Sequence, residues 1–272
     1  MSNATVKKLD VIETVGTAYR RTFVDLRGYL LLAAPMFVFL LFGNYVQLSY
    51  MADIVKRGAY FDLDPRLALI QLVSILLYAM MLTNIARRTL LGSNGPHNLF
   101  GVGWGKREFR VLGRGLIVIG AIPLIYAFAF GIVLATTANG RPPIWIFIFL
   151  TFLPLASMVA IVFFCCRLCI YPVAACLDAD LGFREAFKLT RGNVFSIFGS
   201  CLLTALPFLV GSSLISILLG LLNHLIPLDK YPMLSIPFIT AFQMGFAIVF
   251  TVLLTLIYSR LVLIPTTSPH GP

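Results

Sequence analysis

Six apolar blocks, none with an ionisable side chain at its centre, decide what this chain can become. They run Gly28–Gln47, Leu67–Ile85, Leu112–Thr136, Ile144–Cys166, Ile197–Leu222 and Leu234–Tyr258. About 20 apolar residues cross the hydrocarbon of a bilayer as a helix. Helices are the expected spanning form, because a membrane barrel would show short alternating segments. Charged residues make up only 12% of the 272 residues, against about 25% in soluble domains. A soluble globule of this size cannot be covered with so little charge. The reading is an all-α polytopic membrane protein of six spans. The first block starts late and follows a segment containing Lys and Arg, so it is expected to be a retained span and not a secretory leader.

Lysine and arginine placement gives the orientation. Sixteen of the twenty-one fall on the side of the N-terminus and of the even-span ends. The other side holds Lys56, Arg57, Arg66, Arg141 and Lys230. Cytoplasmic loops carry the excess, so both termini are expected in the cytoplasm. The formal net charge of +10 then belongs to one face, where anionic headgroups are the expected partners. Nucleic acid is not an expected partner.

The chain also repeats itself. Odd spans carry an internal proline (Pro35, Pro123 and Pro207), and each is a candidate helix kink. Even spans end on an arginine (Arg87, Arg167 and Arg260), the last two within Arg-Leu-x-x-x-Pro. Each odd span follows a basic or amphipathic segment. In the first segment, Val11, Ile12, Val15, Ala18, Tyr19, Phe23 and Leu26 recur at helical spacing. The second covers Glu108–Arg114. The third, Leu181–Arg191, stops at Gly192-Asn193, a pair suited to a left-handed turn. The expected unit is interfacial helix, span, outer turn, span, three times over. It forms a single membrane domain over 1–272: residues 1–27 are a cytoplasmic amphipathic helix, 28–258 the bundle and 259–272 a cytoplasmic tail.

Candidate site residues follow from this unit. Arg87, Arg167 and Arg260, one per repeat, and Arg184, Lys188 and Arg191 beside the fifth span are candidate lipid-headgroup contacts. Polar groups inside the spans are modest. Gln243 is the most polar of them and is assigned to bonding between helices, with ligand contact as the alternative. Cys165, Cys166, Cys169, Cys176 and Cys201 read as small buried apolar residues, because no histidine is near them in sequence. Neither metal nor cofactor is expected. The Gly101-x-Gly103-x-Gly105-Lys106 run does not fit a phosphate-binding loop, since Phe100 stands where a glycine is needed. Asp178 and Asp180 are read as the start of the third interfacial helix, with an acid–base pair or a cation site as the alternative.

One stretch resembles a known family. Tyr171-Pro172-Val173-Ala174-Ala175, then Glu185-Ala186-Phe187-Lys188-Leu189-Thr190-Arg191-Gly192-Asn193-Val194-Phe195, is similar to a segment of bacterial six-span proteins. These are the YciC-type proteins and the membrane domain beside some glycerophosphodiester phosphodiesterases. Phe187 stands where those proteins often have Trp. The resemblance implies a bacterial inner-membrane protein and does not imply phosphodiesterase activity. The functional expectation is a non-enzymatic scaffold or accessory subunit of a membrane complex. The alternative is a carrier or flippase-like protein for a lipid or other amphipathic molecule.

Overall fold

A computed structural model describes residues 8–57, 65–92, 103–118, 159–225 and 235–263. Every regular element among them is helical. The elements are α1 (Val11–Val24), α2 (Leu26–Arg57), α3 (Pro65–Leu91), α4 (106–118), α5 (159–168), α6 (Ile170–Cys176), α7 (Phe183–Leu189), α8 (Val194–Leu225) and α9 (Ile236–Tyr258). A π-turn, Ser259–Leu263, extends α9.

Five segments are long and apolar enough to cross a membrane: Leu26–Tyr50, Pro65–Leu91, Val159–Cys176, Val194–Leu218 and Ile236–Val262. Four match expected spans closely. Most of the expected third span lies outside the described residues, as do Pro123 and residues 144–158 of the fourth. The fourth span runs past its expected end at Cys166 to Cys176, with a one-residue break at Cys169. Pro172 explains the break, because its ring nitrogen cannot donate to the Leu168 carbonyl. Pro35 and Pro207 sit inside α2 and α8, each an unbroken helix of 32 residues.

α9 is the hub of the bundle, touching α1, α2, α3, α6 and α8. Its second half is the densest part of the core, with Val252, Leu253 and Ile257 fully buried. Buried threonines are compatible with this core because most bond their own helix. Thr83, Thr89, Thr240, Thr251 and Thr255 donate to the carbonyl four residues back, at 2.7–2.8 Å. The Thr204 hydroxyl is buried and has no partner among the described residues.

α1 lies across the ends of α8 and α9. Its bundle face is Thr14, Val15, Ala18 and Thr22, whereas Ile12 and Phe23 of the expected apolar stripe point outward. Small side chains at intervals of four let α1 approach closely. The Tyr19 hydroxyl donates to the Thr204 carbonyl at 2.8 Å. That carbonyl neighbours the Leu203 carbonyl, which Pro207 leaves without its helical donor.

Candidate functional site

Charged side chains gather at the end of the bundle where α3 and α9 finish and α2 and α8 begin. Asp25 closes α1, its backbone N–H bonding the Arg21 carbonyl at 3.2 Å. Its carboxylate takes both arms of Arg88, one at 2.8 Å and one shorter. Gly28 makes this possible, because a Cβ there would overlap the Arg88 guanidinium. Glu13 on α1 accepts from Arg260 at 2.7 Å, and the same guanidinium donates to Thr14 at 2.9 Å. These pairs tie the N-terminal segment to the ends of α3 and α9.

Asp178 is the centre of the largest cluster. Arg107 donates to it through Nε at 2.9 Å and Nη2 at 2.5 Å. Arg87 stands 3.6 Å away and Arg110 3.9 Å away. Its φ of 57° places this residue in the left-handed region, which costs a non-glycine residue free energy. The expectation that Asp178 starts the interfacial helix is therefore corrected: Gly182 caps α7, and Asp178 points at α3 and α4 instead. A short run beginning Ala179 separates it from α7, and Gly182 supplies the first carbonyl of that helix. Asp180 is fully exposed, 3.9 Å from Arg114. Arg114 is itself buried, donating to the Tyr171 and Ala179 carbonyls at 3.3 and 3.4 Å and lying 4.7 Å over the Tyr171 ring.

The Arg107 hydrogen bonds hold the Asp178 carboxyl below the usual carboxylate range. A carboxyl shifted downward stabilises the fold fully above its unfolded pKa of about 4 and loses that contribution as pH falls through its folded value. Acidification below about pH 4 should therefore lower the thermal midpoint in detergent. Asp178→Asn should be less stable at neutral pH and show a shallower acid dependence. An identical acid slope in the variant would contradict the assignment.

The three repeat arginines have different surroundings. Arg87 faces Asp178, and Arg260 faces Glu13. Arg167 lies 3.8 Å over the Phe187 ring and 5.6 Å from Phe163, with a buried Nε that no hydrogen bond satisfies among the described residues. The α7 residues Arg184 and Lys188, together with Arg191 just beyond, are exposed and take no part in the ion pairs. Gly192 has φ 88°, as the expected stop requires. Asn193 beside it is fully buried, and its Oδ1 accepts the Leu9 N–H at 2.9 Å.

A second cluster lies at membrane depth. Asn44 of α2 donates to Thr240 at 2.9 Å and to Gln243 Oε1 at 3.3 Å, both on α9. Gln243 bonds between helices as expected. Asn44 was not singled out in the sequence, although an amide inside an apolar block is signal enough. Gln243 also lines a cleft of about 410 Å³ between α8 and α9. Its walls are mostly apolar and include Phe208, Leu209, Phe238, Phe242 and Phe246. The Phe208 ring packs edge-on against Phe242 at 5.8 Å and Phe246 at 5.4 Å. Each helix offers the other a bare glycine. A Cβ at Gly211 would overlap Phe242, and one at Gly245 would sit 3.3 Å from Phe208.

Among the described residues no group of three or more His, Cys, Asp and Glu side chains is placed to hold a metal ion. No protein-family model, curated protein or solved structure matches this chain.

Proposed function

We propose that this is a six-span, non-enzymatic protein of the bacterial inner membrane, a scaffold or accessory subunit whose docking surface for a partner's spanning helix is α8. The contrast between two neighbouring helices carries this reading. In the α9 span half of the residues are buried, but in the α8 span only 6% are. Among the described helices α8 packs chiefly on α9, with α1 meeting its first turns. Leu203, Leu206, Val210, Leu214, Ile217 and Leu221 recur at intervals of three and four, all exposed. That spacing is how spanning helices interdigitate. Photo-crosslinking from this stripe in native membranes tests the reading.

Three packing relations support the threefold unit and the interfacial role of α1, α4 and α7. α1 packs on α9. Val111 of α4 shares a buried cluster with Ala79, Leu82 and Ala86 of α3, and with Ala175 and Cys176 of α6. The α7 rings of Phe183 and Phe187 pack on Phe164 of α5 at 6.1 and 6.4 Å. Each interfacial helix thus rests on the even span of the preceding unit, cyclically. With both termini cytoplasmic, the exposed Arg184, Lys188 and Arg191 meet anionic headgroups there. Arg87 and Arg260 serve mainly as internal partners. The cleft between α8 and α9 favours a second reading, a carrier for a lipid or other amphipathic molecule.

A further inference from the structure

We infer that the α8–α9 cleft is a binding site for one acyl chain of a membrane lipid, held by its ester carbonyl at the Gln243 amide. The inference deepens the second reading only in naming the ligand, because a resident lipid of a scaffold would occupy the same site. Three observations select this occupant. The cleft lies between two helices long and apolar enough to cross a membrane. Its walls span residues 205–216 of α8 and 238–246 of α9, a length of roughly 12–16 Å at 1.5 Å per residue. Its volume is about 410 Å³ and its lining is mostly apolar. A cleft of this length and volume accommodates part of one extended acyl chain.

The polar group at the wall supplies the orientation. Gln243 has its Oε1 occupied by Asn44, and among the described residues its two amide N–H groups have no acceptor, which leaves them for a ligand. The Ser212 and Ser216 hydroxyls donate to their own helix, at 2.9 Å each. In hydrocarbon an amide donor without an acceptor is costly. An ester or carboxyl oxygen satisfies it, and an unfunctionalised alkane does not. The Phe208, Phe242 and Phe246 rings then line the path of the chain.

The test uses the full chain in phosphatidylcholine vesicles doped with a phosphatidylcholine bearing a photoreactive diazirine on one acyl chain. Peptide mapping reads where the label lands, and native mass spectrometry reads how many lipids survive detergent exchange. The site predicts label on α8 and α9 cleft residues and one retained lipid. Ser212→Phe, which fills the cleft from an exposed position, should abolish both. Gln243→Leu keeps Asn44 bonded to Thr240 and should weaken retention about fivefold, the worth of one net hydrogen bond. Label spread evenly over all spans, or unchanged retention in Ser212→Phe, overturns the proposal. Lipid exchange between vesicle leaflets is measured in parallel. An occupied cleft without exchange upholds the site and counts against the carrier reading alone.

Discussion

Leu253→Ala should lower the thermal midpoint of the detergent-solubilised protein by roughly 8 °C. Leu253 is fully buried in the second half of α9, within the cluster that also holds Ile85, Val173, Ile197 and Ile257. Truncation removes packing contacts and leaves a cavity between several helices, which costs about 3 kcal/mol. For a chain of this size that corresponds to a few degrees per kcal/mol. In a bilayer the loss is one of packing more than of hydrophobic transfer, because lipid tails are as apolar as leucine. Leu218→Ala, on the exposed side of α8, removes the same atoms from a side chain that is more than half exposed. It should shift the midpoint by no more than an ordinary surface change. Equal shifts for the two variants would contradict the assignment of α9 as the core and α8 as the outer helix.

Asn193→Ala should release the N-terminal segment without unfolding the bundle. Asn193 and Leu9 are both buried, and the Leu9 N–H has the Asn193 side chain as its acceptor. Leaving a buried backbone donor unsatisfied costs about 1–3 kcal/mol. The penalty falls on the attachment of residues 8–10 and α1, because α8 continues to begin at Val194 with Ile197 bonded to the Asn193 carbonyl. The readout is tryptic cleavage after Arg20 and Arg21, both exposed on α1. Cleavage of an opened segment follows its equilibrium population, so a loss of about 2 kcal/mol should raise the rate about thirtyfold. Arg191→Ala, two residues away and exposed, is the control and should leave the rate unchanged. A cleavage rate that stays at the wild-type value in Asn193→Ala would show that the Glu13–Arg260 and Tyr19–Thr204 contacts hold α1 unaided.

The spans were legible in the sequence because a bilayer imposes one simple requirement, an apolar helix of sufficient length. α2, α3, α8 and α9 follow it directly. The extension of the fourth span to Cys176 was not legible, because Arg167 was read as the end of the span. The helix continues past it and breaks only where Pro172 removes a donor. The bundle-facing side of α1 was not legible for a different reason. Hydropathy treats Thr14 and Thr22 as polar, yet each hydroxyl bonds a carbonyl four residues back and the remaining methyl packs well. Thr14, Ala18 and Thr22 therefore face the bundle, and Ile12 and Phe23 face outward.

The candidate site was only partly legible. The arginines stood out because they are rare and sit at span ends, but their partners are distant in sequence. Glu13 lies 247 residues from Arg260, and Arg107 lies 71 from Asp178. Nothing local signals such pairing. The left-handed backbone at Asp178 is likewise a tertiary effect, since three guanidinium groups draw it toward α3 and α4. The cleft escaped notice because it depends on two phenylalanines meeting two glycines across a helix pair. Gln243 was the exception. An amide amid apolar residues needs a partner, and both its helix contact and its place in the cleft wall follow from that need.

The central claim is that α8 presents an apolar surface to another membrane protein. Benzoylphenylalanine placed singly at Leu206, Leu214 and Leu221, then irradiated in native membranes, tests it most directly. Leu253 serves as the buried control position. The account predicts one protein adduct of constant mass from the three α8 positions and intramolecular products only from Leu253. Lipid adducts alone along the α8 stripe would contradict it.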